Sequence, residues 1–413
     1  MKPSRVLLVL QSTSAGGMET HVVDLAAEYR RRGVDAQVVL PVGPELDGVA
    51  ARLEALAVPC ARVTTDARTG RAAQVAGMRA FAALLRSFRP SVVHLHTGGA
   101  TGGLAVAALV RALTRSTLVI TEHDVPGATP GAPQQLTRGA LDRLCHGVVA
   151  VSRRNAALRT ARLPVRARTF SVVLNGVPAP EVSPSTRDEH RLAVRALHGL
   201  GHGLVFGSVV RLAEGKGLPT LLEAFAQCPP KSRLLLVGDG PLREPLERQA
   251  ADIGVAERVC FAGQQSDPAR YLDALDVFVL PVPAGSMSIA LLEAMARGLP
   301  PIITFCGPEE AVISGQTGLG AAPGDPNDLA RAMLDLADDP MLRRRLAAAA
   351  QEHVRRHYSV GRVADDLLDV YAAARGGGQT GLEAHLPADQ RPGDRPATSA
   401  APSGALRVSG ARP

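Results

Sequence analysis

The sequence predicts an α/β protein built from two doubly wound, Rossmann-like domains that face each other across a cleft. Short apolar runs without polar alternation recur along the chain, and a stretch with helical periodicity follows each of them. Such runs are typical of parallel strands that helices cover on both faces. The runs fall into two sets, and 413 residues are enough for two domains with separate cores.

The first set of runs lies before residue 180. It predicts strands over residues 5–10, 37–40, 92–96, 118–121, 148–151 and 171–174, with a helix over 18–32 that ends at Gly33. The second set predicts strands over residues 204–210, 233–237, 258–261, 277–280 and 301–304, each followed by a helical segment. Two late helices are separated by Asp338-Asp339-Pro340, and the last of them covers about residues 359–373.

These patterns and the local composition divide the chain into five parts. Residues 1–180 form an amino-terminal domain, 181–203 a polar linker, 204–357 a carboxy-terminal domain and 358–375 a terminal helix. From residue 376 onward Gly, Pro, Ser, Ala and charged residues dominate. A segment of this composition cannot bury an apolar face, so we expect residues 376–413 to be disordered.

The positive charge is concentrated in the first half of the chain. The formal net charge is +7, and residues 1–180 hold 22 Lys and Arg against 11 Asp and Glu. A single basic run is usually a solvated face, but a basic domain favours an anionic partner such as acidic lipid head groups, a lipid-diphosphate acceptor or an acidic polysaccharide. Nucleic acid is not expected, because no nucleic-acid motif is present and aromatic residues make up only 3%. The densest basic run comprises Arg153, Arg154, Arg159, Arg162, Arg166 and Arg168.

The cysteines and the first residues are those expected of a cytoplasmic protein. The cysteines are odd in number, scattered and without a Cys-x-x-Cys pair, which favours reduced thiols over a disulfide framework or a zinc site. No apolar run is long enough to span a membrane, and the start lacks the longer apolar region and cleavage site of a signal peptide. We expect a cytoplasmic protein that can also bind peripherally to the inner face of the plasma membrane. The cysteines are Cys60, Cys145, Cys228, Cys260 and Cys306.

Two cations in the loop after the strand at 204–210 are candidates for binding a diphosphate. Arg211 and Lys216 stand between that strand and the next helix, and glycines flank the lysine. Lysine is rare in this chain, since it occurs only at Lys2, Lys216 and Lys231 while Arg supplies the other cations. A compact ammonium suits a phosphate oxygen as a point charge, and free helix N–H groups bind the same anion. The alternative is a solvated loop lysine.

Other loops at the carboxyl ends of predicted strands point to the same ligand. Gly16-Gly17 precedes a helix, where backbone N–H groups can approach a phosphate closely, although a tight turn would give the same pattern. Glu293 is carried by the helix after the strand at 277–280, and a carboxylate there can accept hydrogen bonds from ribose hydroxyls. Ligands of doubly wound sheets bind beyond the strand carboxyl ends. Together these loops indicate a nucleotide-sugar pocket.

A histidine follows another strand at the same edge. His123 can donate or accept a hydrogen bond near neutral pH, which suits a group beside a reacting atom, and the alternative is a packed or solvated loop histidine. His94 and His96 share one strand face and could form a metal site with His123. The chain contains no Asp-x-Asp sequence, which is the usual signal of a metal-bound diphosphate, and we expect no metal.

Several short sequences occur in a specific joint order, although each is weak alone. They are Gly16-Gly17-Met18-Glu19, Val92-Val93-His94-Leu95-His96, Thr121-Glu122-His123, Val149-Ala150-Val151-Ser152, Asn175-Gly176-Val177, Arg211 with Lys216, Val237-Gly238-Asp239-Gly240-Pro241 and Leu291-Leu292-Glu293-Ala294-Met295-Ala296. In this order the chain resembles the retaining glycosyltransferases of family 4, which have the GT-B fold. The similarity runs from about residue 4 to about residue 374.

The resemblance implies a role for each candidate site residue. Arg211 and Lys216 would neutralise the leaving diphosphate in place of a metal, and Gly16-Gly17 would face the same group. Glu293 would hold the ribose, and His123 would lie beside the transferred sugar. The donor would be a UDP- or GDP-linked sugar that acts as co-substrate, without a bound cofactor. The acceptor would attack on the leaving-group face, with a donor phosphate oxygen taking its proton, and the terminal helix would cross back to the first domain.

One position departs from the family pattern of Glu, seven residues and Glu. Glu293 fills the second position, but Gly285 stands at the first, where the family has the carboxylate that holds a hydroxyl of the donor sugar. Loss of one charge-assisted hydrogen bond costs roughly 1.5–3 kcal/mol, which is about ten- to a hundred-fold in rate. Ser286, Ser288 or backbone groups are candidates to replace it. We expect the missing carboxylate to affect the identity of the donor sugar first and the activity second.

We therefore expect a glycosyltransferase that moves a hexose-type sugar from a nucleoside diphosphate to a hydroxyl of a lipid-linked or polysaccharide acceptor, in cell-envelope or exopolysaccharide synthesis. The main alternative is a catalytically impaired nucleotide-sugar-binding protein of the same fold. Gly285 favours that alternative, and the presence of Arg211, Lys216, His123 and Glu293 disfavours it. A sugar-nucleotide isomerase of the same fold, such as a 2-epimerase, is disfavoured by the order of the motifs.

Overall fold

The structure is a computed structural model in which two parallel sheets are each covered by helices. It describes residues 3–12, 16–65, 70–98, 102–123, 131–163, 165, 167–179, 183–283, 287–304 and 311–376. Arg166, Gly285, Ser286, Cys306 and the segment 377–413, for which we expect disorder, lie outside the described residues.

The first sheet is formed by the amino-terminal half of the chain. Its strands are β1 (Arg5–Gln11), β2 (Asp35–Leu40), β3 (Cys60–Arg62), β4 (Val92–Thr97), β5 (Thr117–Glu122), β6 (Gly147–Ala150) and β7 (Thr169–Val172). Its helices are α1 (Gly17–Arg31), α2 (Asp47–Ala55), α3 (Arg71–Phe88), α4 (Leu104–Leu113), α5 (Ala132–Leu144) and α6 (Arg153–Arg162). The strands are parallel in the order β3-β2-β1-β4-β5-β6-β7. The order reverses between β1 and β4, which is where such a sheet opens a crevice for a ligand.

The second sheet repeats this plan. Its strands are β8 (Val205–Val209), β9 (Arg233–Val237), β10 (Val259–Gly263), β11 (Val277–Leu280), β12 (Pro301–Thr304) and β13 (Leu319–Ala321). The helices of this half are α7 (Pro184–Leu197), α8 (Leu218–Ala226), α9 (Arg243–Asp252), α10 (Pro268–Asp273), α11 (Ile289–Ala296), α12 (Pro326–Asp338), α13 (Pro340–His357) and α14 (Val360–Gly376). The strand order is β10-β9-β8-β11-β12-β13, with a reversal between β8 and β11.

Strand β1 illustrates why the apolar runs do not alternate. Val6 and Leu8 pack into one apolar cluster, whereas Leu7 and Val9 pack into another on the opposite face of the sheet, and all four side chains are fully buried. Successive side chains of a strand point to opposite faces, so burial on both faces requires a continuous apolar run. The predicted pair of doubly wound α/β domains is therefore confirmed.

The predicted strand bounds agree best in the second sheet. Strands β9, β11 and β12 have the predicted bounds, because each is a short segment of four or five residues with a mainly apolar sequence. The sequence analysis missed β3 and β13, which are edge strands of 3 residues each. Edge strands this short carry too few apolar side chains to form a run.

The stretch at 181–203, which we predicted to be a linker, contains helix α7, and this helix packs against α10. Ser183 caps it, since its Oγ accepts a hydrogen bond from the backbone N–H of Thr186 at 3.1 Å. His190 Nδ1 lies 2.8 Å from Asp273 Oδ2, and Arg195 donates to a carboxylate oxygen of Asp276 at 2.7 Å. Hydrogen bonds and ion pairs attach this helix to the rest of the second domain. Its sequence is therefore polar and resembles that of a linker.

The chain returns to the first sheet at a close crossing between residues 175–177 and 358–360. The N–H of Val177 donates to the carbonyl of Tyr358 at 2.8 Å, and the N–H of Val360 donates to the carbonyl of Val177 at 3.0 Å. A Cβ at Gly176 would lie 2.8 Å from the carbonyl oxygen of Tyr358, so only glycine fits there. Helix α14 then packs on α1, where the Tyr29 and Tyr371 hydroxyls are hydrogen-bonded at 3.1 Å.

A buried network of two carboxylates and two arginines joins β5 to α5 and α6. Arg159 Nε lies 3.1 Å from Glu122 Oε1, and Arg159 Nη2 lies 2.6 Å from Asp142 Oδ2. Arg138 pairs with both carboxylates as well. Each of the four residues is at most 4% exposed. Arg159 belongs to the dense basic run of the sequence, but it is buried and paired, so it is not part of a solvated face.

None of the helices in the described part of the chain combines the length and the hydrophobicity that a bilayer-spanning helix needs.

We expect Glu122→Gln to lower the free energy of unfolding by about 3–5 kcal/mol, because it leaves a buried guanidinium without its full counter-charge. Glu244→Gln is the matched control, since Glu244 forms only a 3.8 Å surface pair with Arg248 and should contribute less than about 1 kcal/mol. Guanidinium chloride titrations of the three proteins measure the difference. Equal midpoints for the two variants would contradict the importance of the network.

Candidate functional site

Loops from the carboxyl edges of both sheets contact each other. Gly17 is the first residue of α1, and a Cβ there would lie 3.4 Å from Cγ1 of Ile289, the first residue of α11. Asn175, after β7, donates from Nδ2 to the carbonyl oxygen of Met287 at 3.0 Å. Gly16 is the extended N-cap residue of α1. Two helix N-termini, one from each domain, therefore meet at the cleft, where the positive ends of both helix dipoles favour an anion.

The loop after β8 carries the two predicted cations. Arg211 is exposed and Lys216 is half-buried, and neither side chain has a hydrogen bond or ion pair with any residue that the structure describes. Gly217, the N-cap of α8, has φ +68°, and a Cβ there would lie 1.9 Å from the carbonyl oxygen of Pro281. Only glycine fits, and the close contact presses the loop against the end of β11. Both cations are thus held near the cleft and are available to a ligand.

A second loop fixes the backbone of the first. The N–H of Leu212 donates to the carbonyl of Asp239 at 3.0 Å, and the N–H of Leu242 donates to the carbonyl of Leu212 at 2.9 Å. The sequence motif around Gly238-Asp239-Gly240 therefore supports the loop that carries Arg211.

Helix α11 carries the remaining predicted residues of the second domain. Ser288 is its N-cap, and its Oγ accepts a hydrogen bond from the backbone N–H of Leu291 at 3.3 Å. That hydroxyl is therefore engaged with the helix and has capacity for a further hydrogen bond. Gly285 and Ser286, which carry the departure from the family pattern, lie outside the described residues.

Glu293 faces a carboxylate of the other domain. Burial, followed by the charge of Asp24 on α1, raises the pKa of Glu293 to about 7, while Arg52 on α2 opposes the shift. Burial likewise raises the pKa of Asp24 to about 6, although Arg52 Nη2 lies 2.5 Å from its Oδ1. Two acids that face each other away from water hold protons more readily than they would in solution. Both are therefore poised to give up a proton when a hydrogen-bond donor or a cation arrives.

Four buried histidines gather where β4 and β5 end. His96 Nδ1 lies 3.1 Å from His123 Nε2, and the ring of His21 on α1 lies 5.3 Å from that of His123 and 5.9 Å from that of His96. The His94 and His96 rings are 4.1 Å apart. Within the described residues, no three potential ligands have the geometry of a metal site.

Burial keeps these imidazoles neutral. It lowers the pKa of His21 to about 4 and that of His94 to about 3. Burial, followed by the neighbouring His21 and His94, lowers the pKa of His123 well below its usual value. The cluster can therefore exchange hydrogen bonds without adding positive charge. Nδ1 of His21 and Nε2 of His96 are buried and have no hydrogen-bond partner among the described residues.

A directional chain of hydrogen bonds orients His94. The Tyr29 hydroxyl donates to that of Tyr371 at 3.1 Å, and the Tyr371 hydroxyl lies 2.7 Å from His94 Nδ1. His94 Nε2 lies 2.7 Å from Thr121 Oγ1, so both nitrogens of this ring are hydrogen-bonded. Helix α14 therefore helps to orient a histidine of the first sheet.

His123 is held by its backbone. Its N–H donates to the carbonyl of Thr97 at 2.9 Å, and its own carbonyl accepts from Nδ2 of Asn155 on α6 at 3.2 Å. Ser152 caps α6 by accepting from the N–H of Asn155 at 3.0 Å. These bonds fix the backbone of His123 directly after β5.

The two halves of the chain match two models that describe one kind of enzyme. Residues 15–179 match "Glycosyltransferase Family 4", and residues 203–339 match "Glycosyl transferases group 1". The chain belongs to glycosyltransferase family 4. Its fold is GT-B, and the predicted family is confirmed.

Curated proteins that are similar to this family 4 member are glycosyltransferases. It is 37% identical over 167 residues to the lipopolysaccharide core biosynthesis glycosyltransferase LpsE of Rhizobium meliloti, a match that covers 40% of the chain and 49% of LpsE. It is 28% identical over 395 residues to the 2-deoxystreptamine N-acetyl-D-glucosaminyltransferase of Streptomyces fradiae, which covers 88% of the chain and 92% of that protein. The chain thus spans about half the length of LpsE and nearly all of the second relative.

Solved structures agree with the GT-B fold. The Anabaena protein HepE, crystallised in complex with UDP and glucose, superposes with a TM-score of 0.77 at 24% identity, over 90% of this chain and 100% of HepE. The lipopolysaccharide glycosyltransferase WaaG superposes with a TM-score of 0.64 at 18% identity.

Sequence reasoning missed the residues that helices α1 and α2 bring to the site. His21, Asp24 and Arg52 lie in helical stretches without a recognisable motif, and only packing between the domains places Asp24 beside Glu293. The one available signal is that His21 follows Gly16-Gly17 by little more than one helical turn, so that it lies near the same helix N-terminus.

The raised pKa of Glu293 predicts a loss of stability with rising pH. The folded state holds this proton more tightly than the unfolded chain, whose pKa is 4.5, so the stabilisation is complete below pH 4.5 and is lost as the pH rises through about 7. Glu293→Gln, which cannot ionise, should reduce this loss by on the order of 2 kcal/mol between pH 5 and 8. Denaturant titrations at both pH values measure it. The exposed Glu189 provides the control, Glu189→Gln, and the same pH dependence in both variants would refute the burial of Glu293.

Proposed function

We propose that this glycosyltransferase is a retaining enzyme that moves a hexose-type sugar from a UDP- or GDP-linked donor to a hydroxyl of a lipid-linked or polysaccharide acceptor. One observation carries the proposal. Helix N-termini of both domains meet at a cleft, beside two cations that have no partner among the described residues. Free N–H groups and unpaired cations at one place suit a diphosphate.

The diphosphate is held by groups from both domains. Arg211 and Lys216 contact its oxygens from the loop after β8, while the N–H groups after Gly16 approach it from α1. As the bond from sugar to phosphate breaks, negative charge builds on the leaving nucleoside diphosphate, and the two cations stabilise that charge. In this proposal they do what a bound metal does in other glycosyltransferases.

Glu293 binds the ribose. A ribose hydroxyl donates to the carboxylate, and this favours the ionised form of an acid whose pKa lies near 7 in the closed cleft. Donor binding in this proposal therefore releases a proton near neutral pH and separates Glu293 from Asp24.

The sugar lies beside the histidine cluster. A neutral His123 exchanges a hydrogen bond with a sugar hydroxyl near the reacting carbon. The acceptor oxygen attacks the anomeric carbon on the face from which the diphosphate leaves. Its proton passes to a phosphate oxygen of the leaving group, so that the products are a glycoside with retained configuration and a nucleoside diphosphate.

The acceptor is assigned from charge. Residues 1–180 are strongly basic, which suits an anionic glycan, a lipid diphosphate or an anionic membrane surface. LpsE acts in lipopolysaccharide core biosynthesis, and a further relative from Corynebacterium glutamicum is a phosphatidylinositol monomannoside mannosyltransferase. The Streptomyces fradiae relative instead uses 2-deoxystreptamine, a cationic acceptor, which a basic domain would repel.

Substitution of either cation should weaken the binding of a nucleoside diphosphate much more than the binding of the nucleoside. Lys216→Ala and Arg211→Ala should each lower the affinity for UDP or GDP by about ten- to a hundred-fold, because a charge-assisted hydrogen bond is lost. The affinity for uridine or guanosine should change by less than about twofold. Lys231→Ala is the matched control, since Lys231 is an exposed lysine of the same domain. Calorimetric titration measures the affinities. Parallel losses for nucleotide and nucleoside would refute the assignment.

A donor panel tests the reaction itself. Wild-type protein is incubated with UDP- and GDP-linked hexoses together with a lipid-linked glycan or 2-deoxystreptamine, and nucleoside diphosphate release and the anomeric configuration of the product are recorded by NMR. The proposal expects acceptor-dependent release with one donor class, retention, and no loss of rate with a chelator. Inversion, or a strict metal requirement, would contradict it.

Gly285→Glu tests the alternative of a catalytically impaired binding protein. In an active enzyme, the new carboxylate beside the sugar should change donor preference or turnover by about ten-fold or more, whereas nucleotide affinity should stay within about twofold. In an impaired binder, turnover should be absent in the wild type. Loss of nucleoside-diphosphate binding with unchanged donor preference would show that Gly285 lies elsewhere in the pocket.

A further inference from the structure

A second site lies at the opposite edge of the first sheet. A cavity of about 660 Å³ opens where β4 to β7 begin, and its wall includes Ser91, Ser116 and His146, which precede or start three of these strands. This is the amino edge of the sheet, whereas the donor cleft is at the carboxyl edge. A ligand in this cavity would not compete with the donor for space.

The cavity is lined by cations and lacks carboxylates among its described lining. Its charged residues are Arg86, Arg89, Arg115, Arg168 and Arg375. All five are exposed, and none has an ion pair with a described residue. A helix C-terminus favours a nearby cation, which accounts for Arg86 in the last turn of α3 and Arg375 in the last turn of α14. It does not account for the others, and an anion in the cavity would be attracted by all five guanidinium groups.

His146 adds a pair of donors with no acceptor between them. Its Nδ1 accepts from the backbone N–H of Leu118 at 2.9 Å, so the neutral ring carries its proton on Nε2. Arg111 Nη1, also a donor, lies 2.9 Å from that Nε2, and Arg111 itself stands outside the cavity wall. One anionic oxygen beside the two groups would accept hydrogen bonds from both. The geometry of the cavity thus matches a group with several negatively charged oxygens, such as a phosphate.

An apolar groove continues from the cavity. A second cavity of about 440 Å³ lies between α3 and α4, and it shares Arg86 and Leu113 with the first. Its wall includes Met78 and Leu109, and it also includes Val75, which is 51% exposed. A groove with exposed apolar side chains that runs into a ring of cations suits an amphiphile with an anionic head.

We propose that this arginine-lined cavity binds the phosphate group of an anionic membrane phospholipid, while the groove between α3 and α4 takes part of its acyl chain. Guanidinium groups suit phosphate because their planar donors pair with two oxygens at once. A soluble phosphate would use the cavity but would leave the groove open to water. The site would attach the amino-terminal domain to a bilayer, and it does not depend on the transfer reaction proposed above.

Vesicle sedimentation tests the proposal. The full chain is mixed with vesicles of phosphatidylglycerol and phosphatidylcholine, or of phosphatidylcholine alone, at fixed ionic strength. The double variant Arg89→Gln/Arg115→Gln should lose roughly ten- to thirty-fold in affinity for the anionic vesicles, since each arginine near such a surface contributes about fivefold. The control pair Arg143→Gln/Arg344→Gln removes the same charge from exposed positions outside the cavity and should lose less than about twofold. Val75→Gln should weaken vesicle binding but not the binding of inorganic phosphate.

Three outcomes would overturn the proposal. Equal losses in the two double variants would show diffuse attraction by net charge rather than a site. Binding of inorganic phosphate without binding of anionic vesicles would show a site for a soluble anion. Equal binding to both kinds of vesicle would exclude phosphate recognition. Titration of the same variants with UDP and GDP keeps this test separate from the proposed reaction, because nucleotide affinity should be unchanged whichever result the vesicles give.

Discussion

The crossing of the chain at Val177 is the constraint on which the site depends. Backbone hydrogen bonds from Val177 to Tyr358 and from Val360 to Val177 attach the start of α14 to the end of the first domain. Helix α14 then packs on α1, so the last helix of the chain helps to fix the first. Because α1 is fixed in this way, Gly17 faces Ile289, and the N-termini of α1 and α11 share one cleft. If the crossing were absent, each sheet would still present its loops, but they would not form one site.

The charges of the cleft fit this geometry. Burial lowers the pKa of His123, which keeps its ring neutral, and burial raises the pKa of Glu293 to about 7, so that this carboxyl is partly protonated near neutral pH. The cations that stay charged, Arg211 and Lys216, have no partner among the described residues. A site with unpaired cations, helix N-termini and neutral polar rings suits a ligand in which an anionic group is joined to an uncharged sugar. The opposite edge of the first sheet carries unpaired arginines too, but there they border an apolar groove, which suits a different ligand.

The fold and the loops of the site can be predicted from the sequence because the parallel strands are buried on both faces. Elements without such burial are the ones that the sequence analysis missed. Parallel strands buried on both faces must be apolar throughout, so β9, β11 and β12 are visible in the sequence, and the residues after such strands fall at the ligand-binding edge. Arg211, Lys216 and His123 follow strands and are found in this way. The edge strands β3 and β13 and the ion-paired helix α7 lack that apolar signal. Asp24 beside Glu293 depends on contacts between domains, which no local pattern encodes.

The most direct test is a crystal structure of the protein with a nucleoside diphosphate bound, UDP or GDP as the titrations dictate. The account predicts diphosphate oxygens about 2.7–3.2 Å from Lys216 Nζ, from the Arg211 guanidinium and from backbone N–H groups at the start of α1, with the ribose hydroxyls on Glu293. A diphosphate bound away from these groups, for example in the arginine-lined cavity at the amino edge of the first sheet, would contradict the central claim that the cleft between the two sheets is the donor site.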